Sequence, residues 1–225
     1  LCWLPFALVL KPLLPRRIGQ PFGRRAIMRG FRLYLGFLGL FCACRFDLSE
    51  LDRLRDEGPL ILVANHPSLL DAVMIVSRLP NAVCVMKAEL MDNILFGAAA
   101  RLARYIRNDA AVNLILDARE ELRRGAQLLV FPEGTRSHST SLGQFKKGAF
   151  LMALRAGVPI IPIVIHNSID SQARGETIFR SATVKIEVLP PVDTSTWRVK
   201  TLDNHIAAVR DSYLRVLGQD VAQAV

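Results

Sequence analysis

The sequence predicts an α/β fold, a largely parallel or mixed sheet flanked by helices, preceded by an apolar and basic N-terminal helical segment. Three observations carry this. Along residues 47–225, short apolar runs alternate with longer helix-patterned stretches, the pattern of strands joined by crossover helices. Most of these runs are bounded by Gly, Pro or Asn, which end strands and helices. Positive charge is segregated: residues 1–46 hold eight Lys or Arg and no acid, leaving 21 basic and 20 acidic residues for the rest of a chain of net charge +9.

The N-terminal segment contains two apolar runs, Leu1–Leu10 and Leu33–Cys44, separated by arginines. Neither reaches the roughly 20 residues that span a bilayer. Both are expected to lie in an interface or to enter one leaflet as a helical hairpin, with the arginines on anionic headgroups and Trp3 and Tyr34 at the interfacial level. The alternative for Leu33–Cys44 is a buried helix of the main domain. No A-x-A-like site follows the first run, so a cleaved signal peptide is not expected. The chain therefore divides into 1–46, membrane-associating, and 47–225, the globular body. Because that body is almost neutral, a basic nucleic-acid-binding domain is excluded. Cys2, Cys42, Cys44 and Cys84 show no C-x-x-C or metal-like spacing, which predicts reduced thiols, no metal, and a cytoplasmic setting.

In the body, Leu51–Gly58 is helix-like and stops at Gly58-Pro59. Leu60–Ala64 is a buried strand, Leu69–Arg78 a helix, Ala82–Met86 a strand and Asn93–Arg104 a helix. Tyr105-Ile106 is a short strand or loop, Ala111–Arg124 an amphipathic helix stopped by Gly125, and Gln127–Phe131 a strand. Phe145–Ala156 is a helix with Gly157 as its stop, and Ile160–Ile165 a strand. Ala182–Leu189 alternates as a half-exposed strand does, and Thr201–Leu217 is a closing helix. His138–Gln144 is the expected mobile loop.

Functional groups of α/β sheets gather just past strand ends, and two ends stand out. After Leu60–Ala64 comes Asn65-His66-Pro67-Ser68-Leu69-Leu70-Asp71. A turn through Pro67 and Ser68 brings Asp71 under the His66 imidazole, where a carboxylate fixes the tautomer and strengthens the other nitrogen as a base. The plainer reading is a turn histidine beside a capping serine. After Gln127–Phe131 comes Pro132-Glu133-Gly134-Thr135-Arg136-Ser137. Here Gly134 permits close backbone approach and Arg136 suits a phosphate; the plainer reading is a surface turn with an ion pair.

These two blocks, in this order, resemble the 1-acylglycerol-3-phosphate acyltransferases, the lysophospholipid acyltransferase family. Val158-Pro159-Ile160-Ile161-Pro162 resembles a further block, and Lys87-Ala88-Glu89-Leu90 and Phe145-Lys146-Lys147-Gly148-Ala149 resemble intervening stretches. The likeness covers about residues 58–190. It implies a glycerolphosphate acyltransferase-like fold on the cytoplasmic face of the cell (inner) membrane, peripheral or monotopic. His66 of the H-x4-D motif is implied to be the general base and Asp71 its orienting partner. Acyl-CoA or acyl carrier protein is the implied donor, with no other cofactor. The acceptor is a lysophospholipid-like hydroxyl, 1-acylglycerol-3-phosphate first among them, held by Glu133, Gly134, Thr135, Arg136, Arg107 and Lys87.

One block departs. The family's second block, similar to Phe-Ile-Asp-Arg, corresponds here to Tyr105-Ile106-Arg107-Asn108. Asn108 stands at the arginine position, and a one-residue shift in a strand turns a side chain to the other face. A phosphate-free hydroxylated lipid or carrier-bound acceptor is thus the alternative. A lipid ester hydrolase is disfavoured by the absence of a G-x-S-x-G elbow. The presence of all five motif residues disfavours a non-catalytic lipid-binding protein.

Overall fold

The apolar runs form one seven-stranded sheet in a computed structural model that describes residues 16–68, 70–92, 94–108, 111–135, 141–167 and 181–219. The strands are β1 (Arg45–Asp47), β2 (Leu60–Ala64), β3 (Ala82–Lys87), β4 (Ile106–Asn108), β5 (Gln127–Val130), β6 (Ile160–His166) and β7 (Thr183–Val188). Their spatial order is β1-β7-β6-β2-β5-β3-β4. β6, β2, β5, β3 and β4 run parallel, while β7 returns antiparallel to β6 and carries β1 parallel beside it. The central strands β2 and β5 are buried at every position, as an apolar run between two helix layers must be.

The helices are α1 (Arg16–Phe41), α2 (Leu70–Arg78), α3 (Ala88–Asp92), α4 (Ile94–Leu102), α5 (Ala111–Arg123), α6 (Gly148–Ala156) and α7 (Leu202–Leu217). α1 packs on α2 and α4, whereas α6 packs on α5 and α7. Connection handedness explains the split. The crossovers β2–α2–β3 and β3–α4–β4 run one way across the sheet, and β4–α5–β5 and β5–α6–β6 run back; right-handed connections then place them on opposite faces. Adjacent β2 and β5 therefore send their chains to opposite faces, opening a crevice at their C-terminal ends.

The stretch read as helix-like at Leu51–Gly58 is a 3-10 helix, Ser49–Leu54. β1 carries no sequence signal, since three residues are too few for alternation to register. It also crosses the boundary expected after residue 46.

Within the described residues the N-terminal segment is one helix, α1, and Leu1–Leu10, the other arm of the expected hairpin, lies outside them. Ile27, Met28, Leu35 and Leu38 are buried, and Gly23 lets α1 approach α4 so closely that a Cβ would meet Leu102 at 3.0 Å. Arg24 does not face lipid. It is 5% exposed, donates from Nη2 to Glu121 at 2.5 Å, from Nη1 to Asn81 Oδ1 at 2.6 Å and from Nε to Ala103 O at 3.0 Å. Arg32 Nε donates to Ser77 O at 2.8 Å. The opposite face of α1 stays open: Leu33 (77%), Phe37 (55%), Leu40 (77%), Ile18, Phe22 and Phe41 are exposed. Among the described residues, no helix is long and apolar enough to cross a membrane.

The Arg24–Glu121 pair yields a test. Arg24→Ala strands a buried carboxylate, which Arg104 at 3.2 Å and Arg124 at 3.4 Å only partly offset. The expected loss is about 3 kcal/mol by urea denaturation, largely restored in Arg24→Met/Glu121→Met.

Candidate active site

The crevice between β2 and β5 receives His66 from one strand end and Glu133 from the other. β2 stops at Ala64, and Asn65 then spends its side-chain amide on β6: Oδ1 accepts from Ile165 N at 2.8 Å and Nδ2 donates to Ile165 O at 3.1 Å. The chain turns through Pro67 and Ser68 into α2. Ser68 Oγ accepts from Leu70 N at 3.2 Å, a serine satisfying a free N–H at a helix start. Asp71 stands in the first turn of α2 and is fully buried, a position that favours a negative charge at the helix N-terminus.

Asp71 Oδ2 accepts from Ser68 N at 2.7 Å and lies 3.0 Å from His66 Nδ1. With the imidazole donating from Nδ1, Nε2 carries the lone pair. No described residue bonds to Nε2, and the ring, 19% exposed at its side chain, rests on Phe131 with centroids 3.9 Å apart and planes tilted by 20°. The orienting contact expected from a five-residue spacing is therefore present. A polarised imidazole with one nitrogen turned to the crevice is able to take a proton from a bound hydroxyl.

Glu133, expected on the acceptor headgroup, is buried, and its carboxylate accepts from His66 N at 2.9 Å (Oε1) and from Gly143 N at 3.1 Å (Oε2). It holds the His66 backbone and the 141–145 segment together across the crevice. Gly134 follows with φ +74, a left-handed conformation natural to glycine. A Cβ there would stand 2.7 Å from Lys146 Nζ, so the Lys146 side chain lies across this turn. Thr135 is exposed, and Arg136 lies outside the described residues.

The other two basic residues sit further along the sheet. Lys87 ends β3 and is exposed; Arg107 is on edge strand β4, three strands from β2, roughly 14 Å at the usual strand spacing. Arg107 pairs with Asp92 through contacts of 2.5 and 3.1 Å. Register places Arg107 opposite Met86, and Asn108 opposite Lys87, so the face shared with Lys87 carries Asn108. Arg107 thus stands apart from His66, at the far edge of the sheet. Sequence reasoning quoted Asn65 and Lys146 without assigning them a role. It missed Gly143, which carries no signal apart from the fold.

Glu133→Gln tests the brace. One backbone N–H loses its charged acceptor and meets an amide N–H₂, a change worth about 1.5–3 kcal/mol. The expected outcome is that loss in thermal unfolding with lowered turnover and an unchanged acceptor KM. A raised KM with unchanged stability would return Glu133 to the headgroup.

Comparison with known proteins places the chain in a family. The sequence model of the family described as Acyltransferase matches residues 45–166. The chain is 31% identical over 206 residues to human 1-acyl-sn-glycerol-3-phosphate acyltransferase beta, covering 87% of this chain and 72% of that protein. It is 36% identical over 197 residues to the mouse alpha enzyme, covering 84% and 69%. The crystal structure of the 1-acyl-sn-glycerophosphate (LPA) acyltransferase PlsC from Thermotoga maritima superposes with a TM-score of 0.76, covering 95% of this chain and 86% of that one at 23% identity, and so shares the fold. With that family model spanning more than half of the chain, and these relatives alongside, the protein belongs to the 1-acylglycerol-3-phosphate acyltransferase family and is an acyltransferase.

Proposed function

We propose that the protein transfers a fatty acyl group from acyl-CoA or acyl carrier protein to the free hydroxyl of 1-acylglycerol-3-phosphate, with His66 as general base. The observation that carries this is the 3.0 Å contact between His66 Nδ1 and Asp71 Oδ2, with Nε2 turned to the crevice. Nε2 takes the acceptor's hydroxyl proton as its oxygen attacks the thioester carbonyl. A C–O bond forms, the tetrahedral centre collapses, and the C–S bond breaks. The proton on His66 then passes to the departing thiolate, leaving ester, free thiol and neutral imidazole. Asp71 holds the tautomer throughout. Gly134, Thr135, Arg136 and Lys87 are proposed to receive the acceptor's glycerol phosphate. The names of the similar proteins support the acceptor.

A second acceptor reading has its own support. With Asn108 on the face shared with Lys87 and Arg107 tied to Asp92, the phosphate has one arginine fewer, which favours a phosphate-free hydroxylated lipid. We further propose that the protein binds the cytoplasmic face of the membrane peripherally through the open face of α1. That face combines exposed Leu33, Phe37 and Leu40 with exposed Arg25 and Arg29, apolar groups for the acyl boundary and cations for anionic lipid. Free Cys42, Cys44 and Cys84 fit a reducing compartment.

With radiolabelled acyl-CoA and lysophosphatidic acid, His66→Ala is expected to lower transfer by about 10²–10⁴-fold; unchanged turnover would reject the mechanism. Faster transfer by wild type to a phosphate-free hydroxylipid would select the second acceptor reading. Leu33→Ser/Phe37→Ser/Leu40→Ser is expected to reduce flotation with phosphatidylglycerol vesicles about tenfold or more while the melting temperature holds. Undiminished flotation would place the contact elsewhere.

A further inference from the structure

Tyr213 lies on α7, outside the residues 45–166 that the family's model matches. It is completely buried and meets Phe145 edge-on at 5.2 Å. We propose that Tyr213 is a positioning residue for His66, acting as a pin that ties β2 to β6 just before β2 delivers the histidine. The inference rests on the reading of His66 as the base.

The register gives the argument. β2 pairs with β6 as Ile61 with Ile160, Leu62 with Ile161, Val63 with Pro162 and Ala64 with Ile163, and Ile61 N donates to Pro159 O at 3.0 Å. At the end of this ladder the Tyr213 hydroxyl reaches both strands: Ile163 N donates to it at 3.1 Å, and it donates to Val63 O at 2.5 Å. Just past the last pair, the Asn65 side-chain amide holds both backbone groups of Ile165. Side-chain atoms thus tie β2 to β6 at two successive positions where the ladder ends. His66 then turns its own N–H the other way, to Glu133. Burial pushes the phenol of Tyr213 far above its ordinary range, so it remains a donor.

α7 braces the opposite wall as well. Arg210 donates from Nε to Gly143 O at 3.1 Å and from Nη2 to Leu142 O at 3.2 Å. Gln219, just past the helix, accepts from Leu142 N at 2.9 Å. Gly143 is the residue whose N–H holds Glu133 Oε2. One helix therefore reaches both strand ends that flank His66, through Tyr213 on the β2 side and through Arg210 and Gly143 on the β5 side.

The test is Tyr213→Phe in the full chain, assayed with acyl-CoA and lysophosphatidic acid. Without the hydroxyl, Val63 C=O and Ile163 N–H lose the group that ties them together, and the β2 end that carries His66 is free to shift. The expected result is a kcat lowered about tenfold or more, as a displacement of the order of 1 Å produces, with both KM values within twofold of wild type. Tyr213→Phe/His66→Ala is expected to be no slower than His66→Ala, because both changes act through one group. Tyr105→Phe removes another buried tyrosine hydroxyl and is expected to leave kcat unchanged. Should Tyr213→Phe fail to fold, Arg210→Met probes the other brace and is expected to show the same loss confined to kcat. An inactive His66→Ala beside a fully active Tyr213→Phe would overturn the positioning role while leaving the base in place. A Tyr213→Phe effect confined to KM would overturn it too, as would an unchanged kcat in Arg210→Met when that variant stands in. A fully active His66→Ala would instead remove the underlying reading.

Discussion

A buried parallel strand cannot end with its peptide groups unpaired, and this constraint organises the crevice. Where the ladder between β2 and β6 stops, side chains take up backbone groups on both strands. Val63 C=O goes to Tyr213, the Asn65 amide goes to Ile165, and His66 N–H goes to Glu133. Each bond is worth little on its own, but leaving its partner bare inside the protein costs about 1–3 kcal/mol. The strand end is therefore pinned from both sides, and the imidazole that follows inherits a fixed position. Rigid support for a side chain at a strand end is what chemistry at that side chain requires.

The same logic bears on two charged residues. Glu133 sits in the most motif-like stretch of the sequence, yet its carboxylate faces inward to two backbone N–H groups. Its place in the motif reflects the need to join the ends of β2 and β5. Arg107 stands beside the expected arginine position but on the other face of its strand, where it secures Asp92. In both, burial or register decides whether a charge meets substrate or scaffold.

α1 illustrates how one helix serves two environments. One side carries Ile27, Leu35 and Leu38 into the core and Arg24 into a buried pairing with Glu121. The other presents leucines and phenylalanines outward. A net charge concentrated in 46 residues reads as one membrane-directed patch only while its arginines are treated as equivalent. Arg24 and Arg32 are spent on the protein, whereas Arg25 and Arg29 remain exposed.

The sequence by itself determined the α/β class, the strands β2, β3, β5 and β6, and the neighbourhood of His66 and Asp71. Those features are local: an apolar run bounded by Pro or Asn, or a five-residue spacing across one turn. It did not determine β1 or the partners of Glu133 and Arg107. Those came from the tertiary structure, because three residues of strand carry no periodicity and a carboxylate's partner is set by which strand lies beside it. Tyr213 marks the limit most clearly. It lies 150 residues from Val63, inside a helix whose pattern reads only as amphipathic. Its hydroxyl acquires a purpose only when the sheet order brings β2, β6 and α7 together.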